Sequence, residues 1–411
     1  QNRATLTEGS PNESIVSIPL SGIRVLDFSR IIAGPLATQH LADLGAEVIK
    51  IENPITGDEV RGWDSTGQPG ISSFFTAFNR SKKSVSIDLK TDRGQGLVRD
   101  LAKQCDVLVE NFRPGIMTKF GLNESTLRSE NPALIYVSIS AYGASGSMSD
   151  RPGLDPVLQA ESGMMAMTGF ENGPPLRHPL SIIDTLTAVH ALSAISVALY
   201  ARASHGRGDF IDLALYDTAI GALNNAALGY LTTGDLPPKT GNSHMQATPV
   251  DLFQTKTEPL YMAVGSDRLF LRFCEDVIER PDLAIDDRFK TPTDRRLHRD
   301  ELKELIEATL KKKPADFWLE RLRHLPAGKV RSLDNALRAD ETRERNMLWT
   351  IDQGDRIQEV LGSPFKFDYH KLSPPKPPPQ LGADTREVLR DLLALTSEEL
   401  DDLHRHQIIR E

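Results

Sequence analysis

Apolar positions fall into short continuous runs, separated by stretches in which they recur at helical spacing. Residues 23–28 (Ile-Arg-Val-Leu-Asp-Phe) read as a buried strand. Residues 36–44 repeat at helical spacing and stop at Gly45, a residue suited to a left-handed C-cap. Further strands are expected at 47–52, 84–89, 106–110 and 133–140, with helices at 94–104 and 116–120. Strands alternating with helices predict a parallel sheet in an α/β layer.

The pattern changes after Tyr142. The stretch to Pro179 is rich in Gly, Met, Ser and Pro, as expected of loops that line a site. Residues 185–203 are apolar on almost every face, which predicts a buried helix rather than an amphipathic one. Gly206-Arg-Gly208 turns the chain into a strand at 210–215, followed by a small-residue helix at 218–231. Pro237-Pro238 opens a different region, with strands at 252–255 and 260–264 and helices near 269–278, 300–311 and 315–323. The predicted organisation is a flexible tail (1–18), the first part of a large α/β domain (19–236), a smaller α+β domain (237–333), and a linker with a C-terminal segment (334–411). Pro-rich residues 373–379 read as a stiff extended connector. Thr396 and Glu399 have the spacing of a capping box that opens a last helix.

Composition narrows the function classes. The 411 residues suit about two domains, and 39% hydrophobic with 26% charged residues is globular. A net charge of −9 gives no general field favouring nucleic acid. The two cysteines, Cys105 and Cys274, lie far apart and in no metal spacing, so both read as buried thiols of a reducing compartment. No apolar run approaches the ~18 residues a membrane span needs, and no membrane partner is expected. The polar stretch 1–17 with Glu8 and Glu13 suits neither a secretory signal nor a transit peptide. Gly94-Gln-Gly96 follows a strand but has Arg99 where a dinucleotide fingerprint needs its third glycine, so a plain helix start is the simpler reading. Walker A, G-x-S-x-G and H-E-x-x-H motifs are absent from the sequence, and the charged helix near 300–313 reads as a solvated face.

A longer series of landmarks is more specific. Ala33-Gly-Pro35 follows the first strand, then Leu44-Gly-Ala-Glu-Val-Ile-Lys-Ile-Glu52, Gly57-Asp58 and Arg61-Gly-Trp63. Asn79-Arg-Ser-Lys-Lys-Ser84, Val109-Glu-Asn-Phe-Arg-Pro-Gly115, Ser140-Ala-Tyr-Gly143 and Arg151-Pro-Gly-Leu-Asp155 come next. Thr168-Gly169, Asp184, Gly206-Arg-Gly208, 325–331 and 378–382 complete it. In this order the series resembles the class III CoA-transferase family (CaiB/BaiF, formyl-CoA transferase-like) from about Pro19 to the end. The resemblance implies a Rossmann-like large domain, a small domain, a C-terminal return to the large domain, and an interlocked homodimer. It also implies acyl-CoA and a small carboxylic acid as substrates, coenzyme A as the carried group, no metal and no nucleotide cofactor. The expected location is cytoplasmic, or the mitochondrial matrix in a eukaryote.

In that family the nucleophile is an aspartate shortly after the Thr-Gly pair, and Asp184 is the match. Read from the residues alone, Asp184 precedes the apolar helix and would be its N-cap, where amides and dipole favour the ionised carboxylate. An ionised carboxylate is what attack on a thioester requires; a capping role alone explains the same position. The resemblance implies transfer through a mixed anhydride and an aspartyl-CoA thioester on Asp184. Asp155 matches a site carboxylate of formyl-CoA transferase, and is equally placed to be a turn residue before Pro156. By resemblance the nucleotide end of CoA lies against Asn111, Phe112 and Lys119, with Lys82 and Lys83 near, and Ile32 and Ala33 belong to the same CoA site.

Two departures bear on substrate. Formyl-CoA transferase has a glutamine where this chain has Ile32, and a glycine-rich loop where this chain has Gly241-Asn-Ser-His-Met-Gln246. A different acid is expected, a dicarboxylate such as succinate. Two rival readings are an α-methylacyl-CoA racemase, whose histidine would fall at Leu154, and a non-catalytic CoA-binding protein.

Overall fold

The computed structural model describes residues 18–63, 72–354 and 356–411. The expected tail lies outside the described residues except for Ile18. The strands in chain order are β1 (Arg24–Asp27), β2 (Glu47–Glu52), β3 (Lys83–Ile87), β4 (Val107–Glu110), β5 (Ile135–Ser140), β6 (Phe210–Ala214), β7 (Val250–Phe253), β8 (Leu260–Ala263), β9 (Ala327–Lys329), β10 (Leu348–Asp352), β11 (Ile357–Leu361) and β12 (Ile409–Arg410). The helices that matter for the site are α1 (Ala33–Asp43), α2 (Asp155–Glu161), α3 (Ile182–His205), α4 (Leu215–Gly221), α5 (Asn224–Thr233) and α6 (Ser397–Arg405).

The chain forms two compact units, one of residues up to 158, 180–221 and 344–411, the other of 159–179 and 222–343. Sequence reading drew the boundaries at 237 and 334 and left 159–179 with the large domain. Long-range bonds explain the difference. The Gly241 N–H donates to the Gly169 carbonyl at 2.9 Å, and the Lys239 ammonium to that of Gly173, so 159–179 belongs with the second unit. Arg331 pairs with Glu341 at 2.5 Å, which keeps the segment after 334 there too.

The larger unit is built on a seven-stranded sheet ordered β12-β3-β2-β1-β4-β5-β6. β1 to β6 run parallel and β12 is antiparallel to β3, bringing the C-terminus back to this sheet. Central parallel strands are covered on both faces, so Val25, Leu26, Ile49, Leu108 and Val137 are completely buried. That is why their sequences read as continuous apolar runs. Gly34 opens α1 because no side chain fits: an added Cβ would lie 2.2 Å from the Ser29 Cβ. The Thr396–Glu399 capping box forms and starts α6.

The smaller unit has an antiparallel sheet, β7-β8-β9, packed with helices around Phe253, Met262, Phe273, Leu302 and Trp318. Both cysteines are free and buried. The helix expected at 218–231 is two helices, α4 and α5, because Asn224 takes a left-handed φ of 44°.

α3 departs from expectation. It packs on α1, α4, β5 and β6, and Ile183, Thr187, Ala188, Ala191, Leu192 and Ile195 are buried. The opposite stripe is open, with Val197 68% and Tyr200 80% exposed. The helix is therefore not buried all round. By length and composition it is also apolar enough to cross a membrane, contrary to the sequence reading. Its packing on the sheet makes it a helix of the larger unit's fold.

Candidate active site

β5 and β6 are parallel neighbours, so the chain must return from the carboxyl end of one to the amino end of the other. α3 makes that return and so begins at the edge where the strands carry their carboxyl ends. Its first turn contains Asp184. The N-cap position is Ser181, which makes no side-chain cap bond. Asp184 is thus not the cap that sequence reading expects. The cap comes from Asp155 at the start of α2. Its Oδ2 accepts from the Ile183 N–H at 2.7 Å and the Asp184 N–H at 3.2 Å.

This exchange of roles changes the electrostatics. Asp155 is 2% exposed and occupies the amides that would otherwise favour an anion at Asp184. Burial, and then the charge of Asp155, push the Asp184 carboxyl up to about 7. The expected preference for the ionised form is therefore reversed at acid pH. Near neutrality Asp184 stands between its two forms. When ionised it is a partly dehydrated and unusually basic carboxylate, the state in which it attacks best. Leu154, where a racemase would need its histidine, is an aliphatic side chain 59% exposed.

The same edge of the sheet carries a cleft of about 370 Å³ at the carboxyl ends of β1 to β4. β2 and β3 lie to one side of β1 and β4 to the other, so strand order reverses here. Open α/β sheets bind ligands at such a reversal. Phe28, Asn53, Leu89 and Phe112 give the cleft apolar and amide surface, Arg30, Lys50, Lys90 and Arg113 bring positive charge, and Glu52, Asp58 and Asp88 bring negative charge. The Arg30 guanidinium lies over the Phe112 ring, 5.0 Å from its centroid.

The residues singled out from sequence fare differently. Phe112 lines the cleft. Asn111 acts on the first βα turn: its Oδ1 accepts from the Arg30 N–H and its Nδ2 donates to the Arg30 carbonyl, both at 2.8 Å. Ile32 and Ala33 sit at the start of α1, both buried, so what they can offer a ligand is backbone. Lys82 is a correction. Its side chain is fully buried, and its ammonium donates to Asp27 at 3.0 Å, the Pro35 carbonyl at 3.0 Å and Asn79 at 2.9 Å. All three N–H groups are used, and none remains for a phosphate. Lys83 is half-buried between Glu47 and Glu387. Lys119 is exposed and does not line the cleft. The cations that do line it are Arg30, Lys50, Lys90 and Arg113, none of them among the CoA contacts expected from sequence. Arg113 lies within the 109–115 landmark and Arg30 just ahead of Ala33-Gly-Pro35, and both follow the carboxyl ends of strands. Lys90 follows the carboxyl end of β3 in the same way, though no landmark includes it.

Residues 20–385 match CoA-transferase family III. The chain is 34% identical over 392 residues to the succinyl-CoA:glutarate CoA-transferase of Mus musculus, covering 94% of this chain and 90% of that protein. It is 35% identical to the succinate–glutarate CoA-transferase of Agrobacterium fabrum, covering 91% and 96%. It is 37% identical to the acetyl-CoA:oxalate CoA-transferase of Acetobacter aceti, covering 85% and 89%. A crystal structure of a CAIB/BAIF family protein from Brucella suis superposes with a TM-score of 0.81 at 33% identity, covering 91% of this chain and 99% of that one.

Proposed function

Since the chain belongs to CoA-transferase family III and is an acyl-CoA:carboxylate CoA-transferase, we propose that its covalent carrier is Asp184. The observation that carries this reading is the Asp184–Asp155 pair at the start of α3. One carboxyl is fixed as a helix cap, and the other is left partly buried with its pKa raised to about 7. Only the second is poised to act as a nucleophile.

The chemistry follows in balanced steps. The Asp184 carboxylate attacks the thioester carbonyl of the donor acyl-CoA, and CoA leaves as thiolate. A mixed anhydride remains on Asp184. The thiolate attacks the aspartyl carbonyl, expels the donor acid as its carboxylate, and leaves an aspartyl-CoA thioester. The acceptor carboxylate then attacks that thioester, and the two steps run in reverse. One thioester replaces another, so no separate energy source is needed. Asp155 keeps α3 capped throughout and raises the basicity of Asp184. Arg30, Lys90 and Arg113 supply charge for the phosphates of CoA, and Phe112 a face for its adenine.

A dicarboxylic acid as donor or acceptor fits the similarity to three transferases whose names contain succinate, glutarate or oxalate. A homodimer fits the open apolar stripe of α3.

The test is to incubate the protein with a panel of acyl-CoAs, succinyl-CoA first, without acceptor, and to read intact mass. An acyl or CoA adduct is expected on the wild type and none on Asp184→Ala. Absence of any adduct, together with exchange of an α-proton of a branched acyl-CoA for deuterium, would sink the covalent reading in favour of racemisation. Tight CoA binding with neither outcome would make the protein a non-catalytic binder.

A further inference from the structure

The turn between β1 and α1 adopts a conformation its own sequence disfavours. Ile31 has a left-handed φ of 70°. A β-branched side chain rarely takes that conformation, and one that does is held there by its surroundings. The surroundings are unusually complete. Asp27 accepts from the Ser29 N–H at 2.9 Å and from its hydroxyl at 2.5 Å. The Lys50 ammonium donates to the Ser29 carbonyl at 2.6 Å and pairs with Asp58 at 2.9 Å. Asp58 Oδ1 faces the Ile31 N–H at 3.4 Å, and Asn111 takes both backbone groups of Arg30.

Lys50 is the one cation among these anchors. Its side chain is 1% exposed and that of Asp58 is fully buried. An isolated buried ion pair is weak grounds for stability, and apolar residues often replace one without loss. The Ser29 carbonyl points inward, away from the sheet ladder. A buried carbonyl needs a partner, and Lys50 is the one it has. Without that partner the Ser29–Arg30 peptide would turn toward water, Ile31 would relax to negative φ, and Arg30 would leave the Phe112 ring.

We propose that Lys50, with Asp58 as its counter-ion, is a positioning residue of the CoA cleft: it holds the Ser29–Ile31 turn in its strained form and so presents Arg30 to the nucleotide end of the ligand. The proposal rests on the reading of the cleft as the CoA site. Lys50 and Asp58 also line the cleft, but the Lys50 ammonium is turned to the Ser29 carbonyl and to Asp58, so its action on the ligand runs through the turn. It is set apart from the adjacent buried pair Lys82–Asp27, in which the lysine reaches Pro35 within α1 instead of the turn.

The experiment compares CoA affinity by calorimetry in the wild type, in Lys50→Met/Asp58→Asn, which removes both charges together, and in each with Ile31→Gly added. Glycine adopts positive φ without strain. The double variant is expected to unfold thermally near the wild type but to bind CoA roughly tenfold more weakly, as for a binding turn that must be ordered anew on each encounter. Adding Ile31→Gly should recover most of that loss. Ile31→Gly alone should leave affinity within about twofold of wild type, because glycine adopts the same φ without strain and the Lys50 anchor still holds the turn. Adduct formation from saturating succinyl-CoA should keep its rate, so that KM changes and kcat does not. Unchanged CoA affinity in the double variant would overturn the proposal. So would a loss that Ile31→Gly leaves untouched. If the double variant does not fold, weakened binding in Ile31→Gly alone overturns it, and retained binding supports it. A wild type that binds no CoA would instead remove the parent reading of the cleft.

Discussion

Asp184 keeps its proton to about pH 7 in the folded chain, against an ordinary value of 3.8. The native state therefore binds that proton more tightly than the unfolded state does. Stability is lost as pH rises from near 4 through 7, the window between the two values. On the proposed mechanism, a residue that must ionise to react thus destabilises the fold under the conditions in which it reacts. Asp184→Asn should raise stability at pH 8 by on the order of 2 kcal/mol, discounted for partial exposure, and change nothing at pH 4. Urea denaturation at the two pH values measures this. A variant no more stable than wild type at pH 8 would mean that Asp184 is not held in a desolvating site. On the proposed mechanism the same ionisation governs reaction. Adduct formation at saturating donor should climb with pH and level off above about 7, the titration of the attacking carboxylate.

At the scale of elements, Asp155 couples α2 to α3. Asp155→Asn keeps an oxygen that can accept from Ile183 and Asp184 but deletes the charge that helps hold the Asp184 proton. The inflection of the pH–rate profile should move down from about 7, and helix capping should weaken by about 1 kcal/mol or less. An inflection that stays in place would assign the whole shift to burial. This pair also shows what a sequence can and cannot display. The Thr396–Glu399 box was readable because its partners stand three residues apart on one helix turn. The strands were readable because a doubly covered sheet demands unbroken apolar runs such as 107–109. The Asp155 cap was not, since its two ends are 28 and 29 residues apart and meet only when the β5–β6 crossover has folded. Lys82 misled for a related reason. A lysine beside Lys83 in a polar stretch reads as surface charge, and only the tertiary structure puts Asp27 and Asn79 around it. The β10–β11 hairpin escaped notice because its strand β11 is largely exposed and lacks a clean alternation.

At the scale of the molecule, α3 has too much apolar surface for one chain to cover. Only 33% of its most apolar stretch is buried, and Val189, Ser193, Val197 and Tyr200 form one open stripe at helical spacing. The buried stripe faces α1 and the sheet, so folding of the larger unit alone leaves the other face wet. Soluble chains seldom leave such a stripe uncovered, and a second copy of the chain is the cover that the family resemblance implies. Since Asp184 sits in the first turn of this helix, assembly and catalysis would then share one element. Val197→Glu with Tyr200→Glu places two charges in the stripe while leaving the buried face and the Asp184 turn alone. Sedimentation velocity at micromolar concentration should show a two-chain species for the wild type and a one-chain species, or a mixture, for the variant. Adduct formation should fall in step with the dimer fraction. A wild type that sediments as one chain and still forms the adduct would show that α3 needs no partner, and that its open face serves something other than the transferase.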